Sequence, residues 1–338
     1  MQKLLDKIFE FETLSRIEAK ELLTQITNGK ANDAQIVAAI SALKMRNISS
    51  SELNGFREAL LEQALIPKLY TNDAIDVCGT GGDGKNTFNI STLAAVVIAG
   101  AGYKVIKHGN YGVSSLVGSS SILEEIGYHF TTNDNDLNEQ LSTTNICFLH
   151  APLFHPALKK VGPIRKQLGI RTFFNYLGPL VNPVQPKYQL TGVYNLELIR
   201  VYKQILSNER EEFRVIHSLD GYDEVSLTSA FKMATKSQEL ILYPEDLGQE
   251  PLKQEELFCG ESIADAKTIF MNVLNDKCTQ AQKVVVAVNA ALGIQCFKPN
   301  SSFQECYQEA VKAIESQKAL HNFNKTIELS QQTQTISK

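Results

Sequence analysis

The chain has 338 residues, 43% of them apolar and 21% charged, with a formal net charge of −4. That length exceeds what one hydrophobic core usually serves and suggests two domains of unequal size, and the composition excludes a disordered chain. The mild acidity supplies no basic field for nucleic acid or a membrane surface, though it leaves room for a local basic pocket that takes a small anion.

Residues 1–66 carry four helical stripes: Leu4, Leu5, Ile8 and Phe11; Ala19, Leu22, Leu23 and Ile26; Ile36, Ala39, Ile40 and Leu43; Leu53, Phe56, Leu60 and Leu61. They are punctuated by Thr13, by Asn28-Gly29 with Asn32, and by the serines at 49–51 with Glu52, so the spacing predicts a small four-helix bundle. A bundle this small leaves apolar surface to cover, which points to packing on the larger domain or on a second subunit. Residues 67–73 read as the connector. From 74 onward the rhythm is strand, loop, helix: a strand over 74–78, a helix over 90–102 and a strand over 103–107. Helices at about 119–127 and 134–143 and a strand over 146–149 follow. Residues 150–183 place Pro156 and Pro163 around a basic helix with Lys159, Lys160, Arg165 and Lys166, followed by Arg171. Strands over 189–193 and 214–219 flank a helix at 196–207, an acidic turn at 220–224 leads into 225–227, and a strand at 238–242 precedes helices near 262–273, 277–292, 302–315 and 317–329. Such alternation implies a mainly parallel sheet with a ligand site at the carboxyl ends of its strands.

Cys78, Cys147, Cys259, Cys278, Cys296 and Cys306 form no CxxC pair and no metal-finger spacing, and they read as reduced core residues. The opening MQKLLDKIFEFETLS is too charged for a secretory signal and no apolar run reaches membrane-span length, so a cytoplasmic location is expected.

The richest stretch is 76–92, DVCGTGGDGKNTFNIST. Its four glycines allow positive φ and close main-chain approach to a ligand, and the following helix adds its unpaired N–H groups, which together make an anion cradle. It fits neither the Walker A pattern nor the dinucleotide glycine spacing, and a plain strand-to-helix turn is the alternative. Asp223-Glu224 suits a hard cation, or else forms an exposed turn. Lys107 could neutralise a phosphate or make a surface salt bridge. Asn110 offers a donor and an acceptor. His108 could act as a base or merely be hydrogen-bonded. Arg165 can fork onto a carboxylate, whereas Lys159, Lys160 and Lys166 read as solvated, and His155 and Pro156 either shape a pocket or pack locally.

GTGGDG with NIST, KHGN (107–110) with SSLVGS (114–119), HAPLFHPALKKVGPIRKQLGIRTFFNYLGPLVNP (150–183) and DGYDE (220–224) occur in one order over nearly the whole chain. Together they resemble the anthranilate phosphoribosyltransferase family of tryptophan biosynthesis. GTGGD and KHGN are shared with pyrimidine nucleoside phosphorylases, while the 150–183 block favours the transferase branch. The resemblance implies an α/β fold with a small N-terminal helical bundle domain and a larger α/β domain over 74–338, in which 150–188 contributes hinge and helical-domain segments. It also implies a homodimer through residues 1–66. Gly79, Gly82, Asp83, Thr87, Asn89, Ile90, Ser91 and Thr92 would hold 5-phosphoribosyl 1-pyrophosphate, with Lys107, His108, Gly109, Asn110, Tyr111, Gly112, Val113, Ser114, Ser115 and Ser119. Ser91 and Glu224 would ligate one Mg²⁺ and Asp223 with Glu224 a second, two ions per subunit, and Gly79, Asn110 and Arg165 would contact anthranilate. Catalysis would be electrostatic, with Lys107, Asn110 and His108 the candidate participants. A nucleoside phosphorylase and a non-catalytic binder of nucleic acid or a phosphoribosyl ligand remain the alternatives.

Two positions depart from the family pattern. Arg usually follows KHGN, and an Asp usually stands shortly after the glycine-serine turn; here they are Tyr111 and Ser121. The expectation is a neutral pair replacing an ion pair, because losing both members is nearly neutral whereas stranding one buried charge is costly. The rival is that the missing Arg contacts substrate phosphate.

Overall fold

The computed structural model describes residues 1–112 and 117–336, except the side chains of 333–336. The chain divides into two compact units, Met1–Ile66 with Ala151–Pro183, and Pro67–His150 with Val184–Lys338.

In the first unit, α1 (Gln2–Phe9), α2 (Arg16–Thr27), α3 (Asp33–Lys44) and α4 (Ser50–Leu61) follow the predicted stripes. Every stripe residue is buried except Phe11 and Leu61. The last three helices open on capping boxes, Ser15 with Glu18, Asn32 with Gln35 and Ser49 with Glu52, which satisfy N–H groups that a helix start leaves unpaired. Glu52 is also buried, accepts from the Leu14 N–H at 3.0 Å and pairs with Arg46. Burial works against its charge, but Arg46 and the Ser49 and Leu14 N–H groups outweigh it and hold the carboxyl below its ordinary value.

Residues 151–183 return to this bundle: Phe173 stacks on Phe56 at 4.4 Å and the Leu180 carbonyl accepts from Arg57 Nε at 3.2 Å. The expected single basic helix is two pieces, a 3₁₀ turn at Pro156–Lys159 and a helix at Val161–Leu168. Pro156 opens the first and Pro163 lies in the first turn of the second, where a missing N–H breaks no helical bond.

In the second unit, seven strands among the described residues form one sheet in the order β3-β2-β1-β4-β5-β6-β7. They are β1 (Ile75–Gly79), β2 (Val105–Gly109), β3 (Ile146–His150), β4 (Tyr188–Gly192), β5 (Glu212–Ser218), β6 (Phe231–Ala234) and β7 (Glu239–Leu242). The first five pair in parallel, and β6 and β7 add an antiparallel hairpin. The chain runs outward from β1 through β2 to β3, then restarts at β4 on the other side of β1. The gap above β1 and β4 is therefore the topological switch point, where α/β folds place ligands. Beneath it, α5 (Ile90–Gly100) is apolar around its circumference because it is buried, and Gly293 of the helix Gln280–Phe297 lets that helix approach Ile98. α6 (Ser119–Ile126) and α7 (Asp134–Thr144) complete the β2-to-β3 connection.

The sheet is mainly parallel and flanked by helices, as expected, with three local differences. β2 begins at Val105 because Gly102 and Tyr103 are used to leave α5, their N–H groups donating to Ala99 and Ile98. Residues 225–227 form no strand: the Asn289 side chain donates to the Val225 carbonyl and accepts from its N–H, and Ser218 Oγ accepts from the Ser226 N–H. Strand β6 is one that the sequence pattern does not predict.

Candidate active site

The glycine loop after β1 meets the acidic turn after β5. The Gly81 N–H donates to Asp223 Oδ2 at 2.7 Å, and the Ser91 N–H, in the first turn of α5, donates to Glu224 Oε1 at 2.9 Å. Donors that a phosphate would use are thus engaged by the chain's own carboxylates. Gly81, Gly82 and Gly84 all have positive φ, so the loop bends as only glycine does at low cost. The turn is held from below: Ser218 Oγ donates to the Glu224 carbonyl at 2.6 Å, the Ser218 N–H to the Tyr222 carbonyl at 3.0 Å and the Gly221 N–H to the Ser218 carbonyl at 2.8 Å. Further along the loop, Lys85 lies over the Tyr222 ring at 4.7 Å, Thr87 bridges to Phe258, and Asn89 Nδ2 donates to the Val117 carbonyl at 3.0 Å. Ile90 and Thr92 are buried in the first turn of α5.

The end of β2 supplies the second wall. Lys107 is buried and its ammonium donates to the Val77 carbonyl, while the His108 N–H donates to Asp76 Oδ1 at 3.1 Å. Lys107 therefore lies in the floor between β1 and β2, and the surface salt bridge is excluded for this conformation. The Asn110 carbonyl accepts from Ser119 Oγ and from the Ser120 N–H, both at 3.1 Å, which ties Asn110 to the start of α6. Gly109 faces Ser119, and Gly112 lies against Gly118. Val113, Ser114 and Ser115 lie outside the described residues. Tyr111 does not pair with Ser121: its hydroxyl donates to Glu124 Oε1 at 2.9 Å, one turn further along α6.

Negative charge is concentrated here. Burial and the neighbouring Asp83 charge push Asp223 up to about 7, although the Gly81 N–H pulls the other way. Burial and the charges of Asp223 and Asp83 push Glu224 well above its ordinary value, with Lys107 opposing. Burial lowers Lys107, only partly offset by the acids around it. Asp83 Oδ1 accepts from the Lys85 N–H at 3.2 Å, while its Oδ2 is buried with no hydrogen-bond partner. Buried carboxylates with raised affinity for protons and an unpaired oxygen fit a hard cation, which would relieve both costs.

Arg165 belongs to the other unit. Its guanidinium is half-buried over the Phe174 ring at 5.0 Å and has no carboxylate partner among the described residues. Lys159, Lys160 and Lys166 are exposed, in keeping with solvated lysines. His155 is buried with its Nε2 against the Val181 carbonyl at 2.8 Å, a packing role, and Pro156 is exposed. All six cysteines are free, and all but Cys278 are buried.

Sequence reasoning missed two supports of the site. Asp76, a buried acid in an apolar strand, was visible as the odd residue in its run. Gly192, at the end of β4, carried no signal beyond its residue type, yet a Cβ there would strike the Asp223 main chain.

Residues 71–320 match the family model described as "Glycosyl transferase family, a/b domain", and residues 2–64 match "Glycosyl transferase family, helical bundle domain". The chain is 50% identical over 330 residues to the anthranilate phosphoribosyltransferase of Bacteroides thetaiotaomicron, covering 98% of this chain and 99% of that one. A crystal structure of anthranilate phosphoribosyltransferase from Thermus thermophilus superposes with a TM-score of 0.90 at 28% identity, covering 97% of this chain and 99% of the other. The Saccharomyces cerevisiae enzyme in complex with PRPP and Mg shares the fold at a TM-score of 0.89 and 24% identity, with 98% of each chain covered. With both family models in sequence order, half of all residues shared along nearly the full length, and the glycine loop joined to the acidic turn, the chain belongs to the anthranilate phosphoribosyltransferase family.

Proposed function

We infer that the chain transfers the phosphoribosyl group of 5-phosphoribosyl 1-pyrophosphate to the amine of anthranilate, giving N-(5′-phosphoribosyl)anthranilate and pyrophosphate in tryptophan biosynthesis. The observation that carries this reading is the joining of a glycine-rich phosphate loop to a buried pair of carboxylates through Gly81 and Ser91. A nucleoside phosphorylase has no need of such a pair, and the acidic balance gives a nucleic-acid binder no basic face. Mixing the protein with Mg²⁺, 5-phosphoribosyl 1-pyrophosphate and anthranilate should consume anthranilate fluorescence. Persistence of that signal, with phosphorolysis of a pyrimidine nucleoside instead, would overturn the assignment.

The reaction breaks the bond from C1 to the pyrophosphate oxygen and forms one from C1 to the anthranilate nitrogen. Charge neutralisation and alignment matter more than a strong base, because the aromatic amine is already unprotonated at pH 7. Main-chain N–H groups of residues 79–92 hold phosphate oxygens, and Asp83 and Asn89 present polar groups to the ribose. Lys107 adds fixed positive charge beneath the strand ends, and Asn110, held by the start of α6, orients the incoming amine. Ser91, Asp223 and Glu224 would hold Mg²⁺, two ions per subunit, which supplies positive charge to the departing pyrophosphate. Among the described residues no three His, Cys, Asp or Glu side chains could hold a metal by themselves, so substrate oxygens complete the shell.

Arg165 is assigned to the anthranilate carboxylate. A partly desolvated guanidinium without an acidic partner retains its capacity for a bidentate ion pair. Arg165→Ala should raise the KM for anthranilate about 30-fold, the cost of a charge-assisted pair, and leave the KM for 5-phosphoribosyl 1-pyrophosphate nearly unchanged. Equal rises in both would move Arg165 out of that role.

The protein is further assigned as a homodimer through residues 1–66, where Phe9, Phe11, Ile17 and Met45 are exposed. Light scattering at micromolar concentration should give twice the chain mass, and a monomer there contradicts the assignment. No described helix is long and apolar enough to cross a membrane, and a cytoplasmic location is part of the same proposal.

A further inference from the structure

We propose that Tyr111 is a positioning residue for the phosphoribosyl substrate, acting by clamping the segment after β2 onto α6 and the end of β3. This rests on the reading of the site given above and adds a role for a position where the chain departs from its family's pattern.

Tyr111 is 45% exposed, yet it is fixed at both its ring and its hydroxyl. The ring meets the His150 imidazole edge-on, with centroids 4.7 Å apart, and the hydroxyl donates to Glu124 Oε1 at 2.9 Å. His150, the last residue of β3, is itself immobilised: Phe130 stacks on it at 4.8 Å, and its Nδ1 shares a 2.8 Å hydrogen bond with Ser120 Oγ. Ser120 closes the circuit, because its N–H donates to the Asn110 carbonyl. The contacts thus run from Tyr111 to His150, from His150 to Ser120, and from Ser120 back to Asn110, the residue directly before Tyr111. Gly118 leaves room for the main chain of Tyr111 and Gly112 at the start of α6.

A lone surface tyrosine would move freely. One held at an aromatic edge and a carboxylate fixes the direction in which residues 108–112 leave β2, and with it the side chain of Asn110 and the main-chain groups of His108 and Gly109. A direct substrate contact is not needed for this effect, because the hydroxyl is already committed to Glu124.

The test is a double-mutant cycle over Tyr111→Ala and Glu124→Ala, with Tyr111→Phe alongside, reading kcat and both KM values. Tyr111→Ala should raise the KM for 5-phosphoribosyl 1-pyrophosphate about 10-fold, the combined worth of one edge-on ring contact and one hydrogen bond, with the anthranilate KM nearly unchanged. Tyr111→Phe keeps the ring contact and should recover about half of that effect on a logarithmic scale. Adding Glu124→Ala to Tyr111→Ala should do little more, since coupled partners are non-additive. Fully multiplicative effects would show that Tyr111 acts independently of Glu124 and would overturn the proposal, as would equal rises in the two KM values. If Tyr111→Ala folds poorly, Tyr111→Phe with Glu124→Ala runs the same cycle at the hydroxyl alone. The shift in melting temperature produced by 5-phosphoribosyl 1-pyrophosphate gives a parallel readout without turnover. A wild-type protein that leaves anthranilate unconsumed refutes the reaction itself, whereas an active wild type with an additive cycle refutes only the clamp.

Discussion

Asp223→Asn and Glu224→Gln should each lower turnover at saturating substrates by about 100-fold or more, the scale seen when an electrostatic stabiliser of a transition state is removed. Both substitutions are nearly isosteric, and both keep an oxygen that can accept from the Gly81 or Ser91 N–H, so the loop and the turn should stay joined. What they remove is charge. In the protein alone that charge is a burden: Asp223 is pushed up to about 7 by burial and by Asp83, and Glu224 is raised by burial and by both neighbours. Each variant should therefore melt no lower than the parent in the absence of Mg²⁺, while the gain in melting temperature that Mg²⁺ with pyrophosphate gives the parent shrinks. Lost turnover combined with retained or improved stability separates loss of a metal ligand from a folding defect. Full turnover with an unaltered Mg²⁺ requirement in both variants would remove the metal assignment.

How far the chain could be read before its structure depended on whether a residue's role is local. The glycine loop was legible because its conformation is written in its own residue types, and the N-terminal helices because Ser15, Asn32 and Ser49 each stand three residues before Glu or Gln. Lys107 was legible as a cation near phosphate, but its burial between strands and its bond to the Val77 carbonyl depend on the pairing of β1 with β2. Residues 225–227 looked like strand because they alternate; Asn289, 64 positions beyond Val225, takes over their main-chain groups. Hairpin β6–β7 was half seen, since Phe231–Ala234 is a four-residue strand, too short for its alternation to stand out. Tyr111 and Ser121 stand out in the sequence as departures, but pairing them assumes that they face each other. The register of α6 brings Glu124 to the tyrosine instead. In each case the missing information was a tertiary neighbour distant in sequence.

Gly192→Ala should be as damaging as loss of the acidic pair, and for a purely steric reason. Gly192 ends β4 directly opposite Gly79, the last residue of β1, and its carbonyl accepts from the Thr80 N–H at 2.9 Å. Neither glycine is needed for positive φ; both are needed for space, because a Cβ on Gly192 would overlap the Asp223 carbonyl and one on Gly79 would strike the Asp223 carboxylate. The turn cannot easily yield, since Ser218 holds Tyr222 and Glu224 from below and Asn289 brackets Val225. Nor can β4 yield, being paired in parallel with β1 on one side and β5 on the other. Overpacking of this kind typically costs about 1–3 kcal/mol of stability, and the displacement that relieves it carries both carboxylates away from Gly81 and Ser91. Turnover should fall about 100-fold, the same scale as for direct removal of the electrostatic groups, with a lowered melting temperature that Asp223→Asn does not show. Gly162→Ala is the matched control, because a Cβ there meets nothing within 4 Å, and its melting temperature should not fall. If Gly192→Ala retains wild-type turnover and melting temperature, the acidic turn does not lie where this close approach places it, and the electrostatic account of the site loses its geometric footing.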